Sequence, residues 1–279
     1  MMKLAKYMAA FLLPALLMLT SCSGDKKKAQ LLLDRAREVY AQGDLEDAKA
    51  LIDSLGTLYP KVYEVRHAAN RLGYDVTLSQ LQRDVNFIDS VLQAKQEELD
   101  KILPDFAYER DTAYQTMGRY LLPSQVIERN TTRSFLRSQT DETGRMSLTS
   151  IYVGASPIHH VRVKVTAPDG TWVETPSSPD SYETSDLGLT IEKADYPQGK
   201  DGGLGVFIAE RADENLTMQF SGDRTQQVAL TAADRKACRQ VYELAQQLSL
   251  LAELKSNQEE NLRKIAFVEK KIEEFDREN

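Results

Sequence analysis

The sequence predicts an α+β protein: an N-terminal helical hairpin and an antiparallel coiled-coil stalk, with an all-β, sandwich-like domain inserted between the stalk helices. Three observations carry this. Apolar residues recur with a 3.5-residue period over residues 76–103, the same period returns over 231–279, and between them, from 124 to 230, apolar and polar residues alternate one by one in strand-like runs.

In the first helical segment the seam positions are Leu78, Leu81, Val85, Ile88, Leu92, Lys95, Leu99 and Ile102, and Pro104 ends it by withholding an amide donor. At 1.5 Å per residue it spans roughly 40 Å. Thr231, with Asp234 three residues on, is a capping-box variant that opens the second segment. Its seam runs Val241, Leu244, Leu248 and Leu251, is interrupted by Lys255–Asn261, and resumes at Leu262, Ile265 and Ile272. A helix of that length reaches roughly 65–70 Å. Chain order makes the pair antiparallel, with Ile102 expected near Val241 and Leu78 near Lys255. The final helix then outruns its partner, and its Leu262–Ile272 half is expected to pack against the N-terminal helices.

Between the two, Arg133–Thr140 and Arg145–Tyr152 flank Asp141-Glu142-Thr143-Gly144, read as a four-residue hairpin loop. Val161, Val163 and Val165 alternate with Arg162 and Lys164, a Pro168-Asp169-Gly170 turn leads to Trp172-Val173, and Leu187, Leu189 and Ile191 alternate, as do Leu216, Met218 and Phe220. Val206-Phe207-Ile208 reads as a further short strand. Seven or eight such strands indicate a sandwich or barrel.

Composition narrows the function classes. The chain has 279 residues, with 35 Lys and Arg against 42 Asp and Glu for a net charge of −7, and this acidic balance lacks the basic face that a nucleic-acid binder needs. Two cysteines and three histidines exclude a disulfide scaffold and a zinc cage built on several of them. No motif asks for a cofactor.

The amino terminus is the most specific stretch. Lys3 and Lys6 precede an apolar run from Met8 to Leu19, too short and Pro-interrupted for a membrane span, as in a secretory signal. It ends in Leu19-Thr20-Ser21-Cys22, which resembles the lipobox of bacterial lipoproteins. The resemblance implies cleavage before Cys22 and acylation of its sulfur, hence a lipid-anchored, palmitate-type membrane protein. Ser23 stands where such proteins carry Asp when retained at the inner membrane, so the resemblance implies the outer membrane, facing the periplasm. Losing residues 1–21 removes two lysines and no acid, taking the net charge from −7 to −9. The basic run Lys26-Lys27-Lys28 lies beside the anchor and suits anionic head groups.

Residues 29–60 read as a helical hairpin turning at Gly43-Asp44. Ala36, Gly43, Asp44, Leu45, Ala48, Ile52 and Pro60 resemble one tetratricopeptide repeat, although Leu32 replaces the usual Trp and Arg35 a usual apolar residue. A single unit cannot bury its own face, so the hairpin is expected to pack elsewhere in this chain. A third short helix is expected over 61–73, where His67 belongs to a surface polar cluster. The expected organisation is signal peptide 1–21, tether 22–28, tetratricopeptide-like region 29–73, coiled-coil helix 74–104, β domain 105–230 and returning helix 231–279.

Chemistry is sparse. His159 and His160 are neighbours in an expected strand and point to opposite faces, His159 with the valines and His160 on a solvated stripe with Arg162 and Lys164. Cys238, the lone thiol of the mature chain, is a small buried residue or, on a sharper reading, half of an intermolecular disulfide. The candidate ligand site is the first hairpin. Pairing Thr140 with Arg145 places Arg133, Phe135 and Arg137 on one face with Leu148 and Tyr152, cations beside aromatic rings that suit carboxylate, sugar or phosphate groups. The alternative is a core face whose arginines snorkel at its rim.

These features point to a periplasm-facing outer-membrane lipoprotein with a structural or binding role, as an accessory subunit of an envelope complex or a cell-wall or glycan binder. Its mature termini are expected near the membrane and its β domain at the far end of the stalk. A second reading is a hydrolase of envelope polymers with its site in the β domain, and a third makes the coiled coil intermolecular, in a homodimer instead of a monomer.

Overall fold

A computed structural model describes residues 24–113, 116–186 and 188–278. Cys22 and the rest of the lipobox lie outside the described residues. The protein is α+β, with an N-terminal helical region, antiparallel sheets and a long C-terminal helix. The chain divides into two compact units, residues 1–90 with 257–279, and residues 91–256.

The first unit is helical. Helix α1 (24–41) turns through Gly43, at φ 85°, into α2 (Leu45–Leu58). Gly43 accepts the left-handed backbone the turn requires, and Asp44 caps α2 by accepting from the Asp47 amide at 3.1 Å. The hairpin buries Leu33, Ala36 and Val39 of α1 and Ala48 and Leu55 of α2 against Val65, Ala69, Leu72 and Val76. These last residues belong to α3, which runs unbroken from Tyr63 to Ile102.

That continuity corrects the expected separate helix at 61–73. No proline or cap stands between residues 73 and 76, and Gly73 faces Ile52 Cγ2, which an added Cβ would meet at an ordinary 3.7 Å. Packing against the hairpin carries the helix through a residue that propensity disfavours. With α3 forty residues long, the last part of α5 (Ala232–Arg277) has a partner throughout the unit. Arg71 Nε donates to Asp276 at 2.7 Å, His67 stacks on Phe275 at 4.2 Å, and Gln258 donates to Asp89. Within this unit the two helices run antiparallel as expected, but Leu262–Ile272 lies alongside α3 and does not outrun it, since Asp89 is opposite Gln258 and Arg71 opposite Asp276. At the polar interruption, Gln258 meets Asp89 across the seam.

The second unit holds the ends of the long helices and the β domain. Leu99 of α3 packs with Leu244, Leu248 and Leu251 of α5, flanked by Ile102, Leu103 and Phe106 where the chain leaves α3. Strands β1 (Ala107–Glu109), β2 (Arg119–Leu121), β3 (Phe135–Asp141), β4 (Met146–Gly154), β8 (Leu189–Tyr196) and β7 (Asp180–Asp186) form one antiparallel sheet in the order β1-β2-β3-β4-β8-β7. The second sheet has the order β10-β9-β5-β6, from β5 (Arg162–Thr166), β6 (Trp172–Glu174), β9 (Thr217–Ser221) and β10 (Thr225–Ala229). The shared core takes Leu136, Leu148, Tyr152 and Tyr196 from the first sheet and Val163, Val165, Met218 and Phe220 from the second.

Val206-Phe207-Ile208 is not a strand but part of helix α4 (Leu204–Glu210). Short apolar runs do not distinguish the two states. The Asp201 carboxylate decides by accepting from the Gly203 and Gly205 amides at 3.3 and 2.9 Å. Strand β7 has no apolar alternation to reveal it, being a polar, exposed edge.

Candidate functional site

The β3–β4 hairpin was expected to gather Arg133, Phe135, Arg137 and Tyr152 on one face. Its loop is one residue shorter than the expected four. Asp141 N donates to Arg145 O at 3.1 Å, closing a three-residue loop over a turn in which Gly144 N donates to Asp141 O. Gly144 then takes φ 81°, as a three-residue hairpin loop demands. Arg137 consequently pairs with Thr149, Leu136 with Ser150 and Ser138 with Leu148. A slip of one residue exchanges the faces of a strand. Tyr152 therefore lies in the core with Leu136 and Leu148, edge-on to Phe220 at 5.8 Å and donating its hydroxyl to Ser156 O, while Arg133, Phe135 and Arg137 occupy the opposite face.

On that face Arg133 stacks over the Phe135 ring, 4.7 Å from its centroid. Both arginines are engaged by the chain's own carboxylates. Arg133 donates Nη1 and Nη2 to Asp234 at 2.7 and 2.8 Å and Nε to Asn130 at 2.6 Å. Asp234, only 2 % exposed, also accepts from Gln125 Nε2 and the Thr231 hydroxyl at 2.8 and 2.6 Å. Arg137 pairs with Glu109 of β1, leaving its buried Nε without a partner among the described residues. The forked guanidinium that would clasp a ligand carboxylate is holding the first turn of α5.

A buried polar cluster lies in the sandwich core. Ser150 Oγ lies 2.8 Å from His160 Nε2, and His160 Nδ1 lies 2.8 Å from Glu192 Oε2. All three residues are buried. The Glu192 carboxylate also accepts from the consecutive amides of Ile158, His159 and His160 at 2.6, 2.8 and 2.8 Å, a backbone anion cradle filled by the chain's own acid. To aim three successive amides at one point, the backbone passes through φ 51° at His159, the only described non-glycine residue in the left-handed region.

Protonation follows from these contacts. Burial raises the Glu192 pKa, but the hydrogen bonds from the His160 amide and imidazole and the other two amides outweigh it and hold the carboxyl below its usual range. Burial lowers the His160 pKa against the opposing pull of Glu192, so the ring is neutral at pH 7. Nδ1–H then donates to Glu192 and Nε2 accepts from Ser150. The connectivity is that of a Ser-His-acid triad. Ser150, however, is fully buried on a central strand, and the amides that resemble an oxyanion hole are taken by Glu192. Chemically the array can lock the β4–β5 connection to β8, with the Ser150 hydroxyl enclosed.

The histidine backbone also reverses the expected sides. His160 is in the core, and His159 is exposed, 2.8 Å from Asp223 and 3.4 Å from Glu183. The Asp223 hydrogen bond raises the His159 pKa, opposed by desolvation and supported by the charges of Glu183, Asp223 and Glu192. Lys164, of the expected solvated stripe, instead lies 4.1 Å over the Trp172 ring. A cavity of about 150 Å³ here is lined by His159, Tyr182, Glu183 and Lys193 together with His160 and Glu192 of the array, but not by Ser150. Sequence reading missed Glu192 and Ser150, which alternate among strand residues without any motif; the adjacent histidines were the one available signal. Among the described residues, no three His, Cys, Asp or Glu side chains converge to hold a metal ion, and no helix is long and apolar enough to cross a membrane.

Large exposed rings remain. Tyr108, Trp172 and Tyr182 are 47, 54 and 60 % exposed, and they belong to β1, β6 and β7, each an edge strand of its sheet. Comparison with family models, with curated proteins and with solved structures gives no match for this chain.

Proposed function

We propose that the protein is a lipoprotein anchored through Cys22 on the periplasmic side of the outer membrane, with a structural or binding role. In this reading the β domain, inserted between the two long helices, makes the contacts, as an accessory subunit of an envelope complex or a binder of cell-wall glycan. The observation that carries it is the placement of Tyr108, Trp172 and Tyr182 on edge strands, exposed, while the cationic and acid–base groups nearby are engaged within the chain. Rings with a polar tip and an apolar body are preferred contact residues at protein and sugar surfaces. The competing hydrolase reading has its best candidate in Ser150–His160–Glu192, where the nucleophile is enclosed.

Photo-crosslinkers placed at Trp172 and Tyr182 in intact cells test the role. Specific adducts to an envelope protein or to peptidoglycan support it; turnover of peptidoglycan or glycans by the purified protein favours the hydrolase. Intact mass of the membrane-extracted protein tests the anchor. A chain beginning at Cys22 and carrying acyl groups supports it, and an unmodified chain overturns it.

A further inference from the structure

In the helical unit, a groove of about 310 Å³ brings Lys26, at the start of α1, together with Lys61, Val62, Tyr63 and Glu64, at the link into α3. Two segments distant in sequence thus form one surface. Lys26 pairs with Glu64, whereas Lys27, Lys28 and Lys61 are exposed and have no ion pair among the described residues. Tyr63 is 74 % exposed, and Leu58, at the end of α2 just before this link, is 64 % exposed. Neither ring nor isobutyl group is covered by the hairpin core, which buries Leu55 and Val65 on either side in sequence.

We propose that this end of the helical unit docks on an anionic lipid surface, with Lys27, Lys28 and Lys61 against phosphate head groups and Tyr63 and Leu58 at head-group level. The inference rests on acylation of Cys22, which determines the occupant. Cys22 is two residues from Gly24, and two residues of chain span at most about 7 Å. Lys27 and Lys28 follow in the first turns of α1, at about 1.5 Å of rise per residue. A cysteine held at the bilayer surface therefore keeps the backbone of Lys27 and Lys28 within about 13 Å of it, a distance that their long side chains can reduce to the screening length of about 10 Å. A basic patch beside an acyl anchor supplies a second membrane signal, and tyrosine with leucine beside lysines is the residue chemistry of the membrane interface.

The mature chain with Cys22→Ser, which carries no lipid, isolates the patch from the anchor. Its sedimentation is measured with vesicles of about three parts phosphatidylcholine to one of phosphatidylglycerol, and with phosphatidylcholine alone. Each lysine near an anionic surface contributes about fivefold to partitioning, so Lys27→Ala, Lys28→Ala and Lys61→Ala together are expected to weaken binding to the anionic vesicles about a hundredfold. All three are exposed, and circular dichroism verifies that the fold is kept. Tyr63→Trp in a Trp172→Phe background is expected to shift its emission to the blue on addition of anionic vesicles. Equal binding to both vesicle types, unchanged binding by the triple variant, or an emission that does not move overturns the docking. The mass of the native protein separately decides acylation, so failure of the patch and failure of the anchor give different results.

Discussion

Arg133 and Asp234, 101 residues apart in the chain, meet as a two-pronged ion pair at 2.7 and 2.8 Å between the start of β3 and the first turn of α5. Asp234 does two jobs there. Its backbone amide donates to the Thr231 hydroxyl at 3.1 Å, completing the N-terminal cap, while its carboxylate receives the guanidinium. The residue that starts the long helix also ties that helix to the sheet.

Breaking this pair from either side leaves a charge with too little solvent. Because Arg133 is 35 % exposed, the cost lies below that of a fully buried pair. Arg133→Ala and Asp234→Ala are each expected to lower stability by about 2–3 kcal/mol in urea unfolding. Arg133→Lys should recover only part, since a lysine cannot present two parallel donors. A loss under about half a kcal/mol for both alanine variants would mean that the pair contributes little.

The Ser150–His160–Glu192 chain makes stability depend on pH on the acid side. The His160 pKa is below the ordinary 6.5 in the folded state, so the unfolded chain takes up that proton first. Its contribution is complete above about pH 6.5 and is lost as pH falls through the folded value. Glu192, held below its usual 4.5, adds a further loss at lower pH. His159 acts in the opposite sense, its raised pKa giving a contribution present below about 6.5 and lost as pH rises through the folded value. Urea midpoints should therefore fall more steeply between pH 7 and 5 in the wild type than in His160→Gln. Parallel slopes would refute this account of the buried imidazole.

Gly144 is held by two independent constraints. Its φ is 81°, and an added Cβ would lie 2.3 Å from Ala245 O and 2.4 Å from Ser249 N of α5. Left-handed backbone costs a residue with a Cβ about 1–2 kcal/mol and the overlap adds a similar amount, so Gly144→Ala is expected to cost about 2–4 kcal/mol. Chemical denaturation measures it. Gly170→Ala, at φ 84° with open space around the site, should cost only the first part.

Cys238 is buried, donating Sγ to Gly205 O at 3.5 Å, and burial pushes its thiol pKa up to about 12. In the Cys22→Ser chain it is the single thiol. It should resist Ellman's reagent at pH 8 while the protein is folded and react fully in urea. Rapid reaction of the native protein, or a disulfide-linked dimer on non-reducing electrophoresis, would revive the intermolecular reading.

The helical seams and the sandwich core were legible because burial imposes a period on sequence. Leu99, Leu244 and Leu248 lie where the heptads put them, and Val163, Val165, Met218 and Phe220 are inward as their alternation indicates. Strand β7 was illegible because an exposed edge has no apolar partner to alternate with, and α4 because seven apolar-rich residues fit either state. The candidate site was read in part. Arg133 and Phe135 do stack, but their relation to Tyr152 turned on a single loop residue, and Glu192 gave no local sign of its three amide donors.

Composition and periodicity alone were enough for the α+β class, the two long antiparallel helices, the inserted β region and the cap at Thr231–Asp234. The class, the helices and the cap follow from local spacing, since a 3.5- or 2-residue period states which side is apolar whatever that side will meet, and the antiparallel sense follows from chain order. Tertiary structure decided that α3 continues back to Tyr63, that Tyr152 faces away from the arginines, and that His160 is inside while His159 is outside. Those outcomes depend on contacts between distant segments and on backbone angles at Gly144 and His159, and neither quantity has a period that a linear pattern can display.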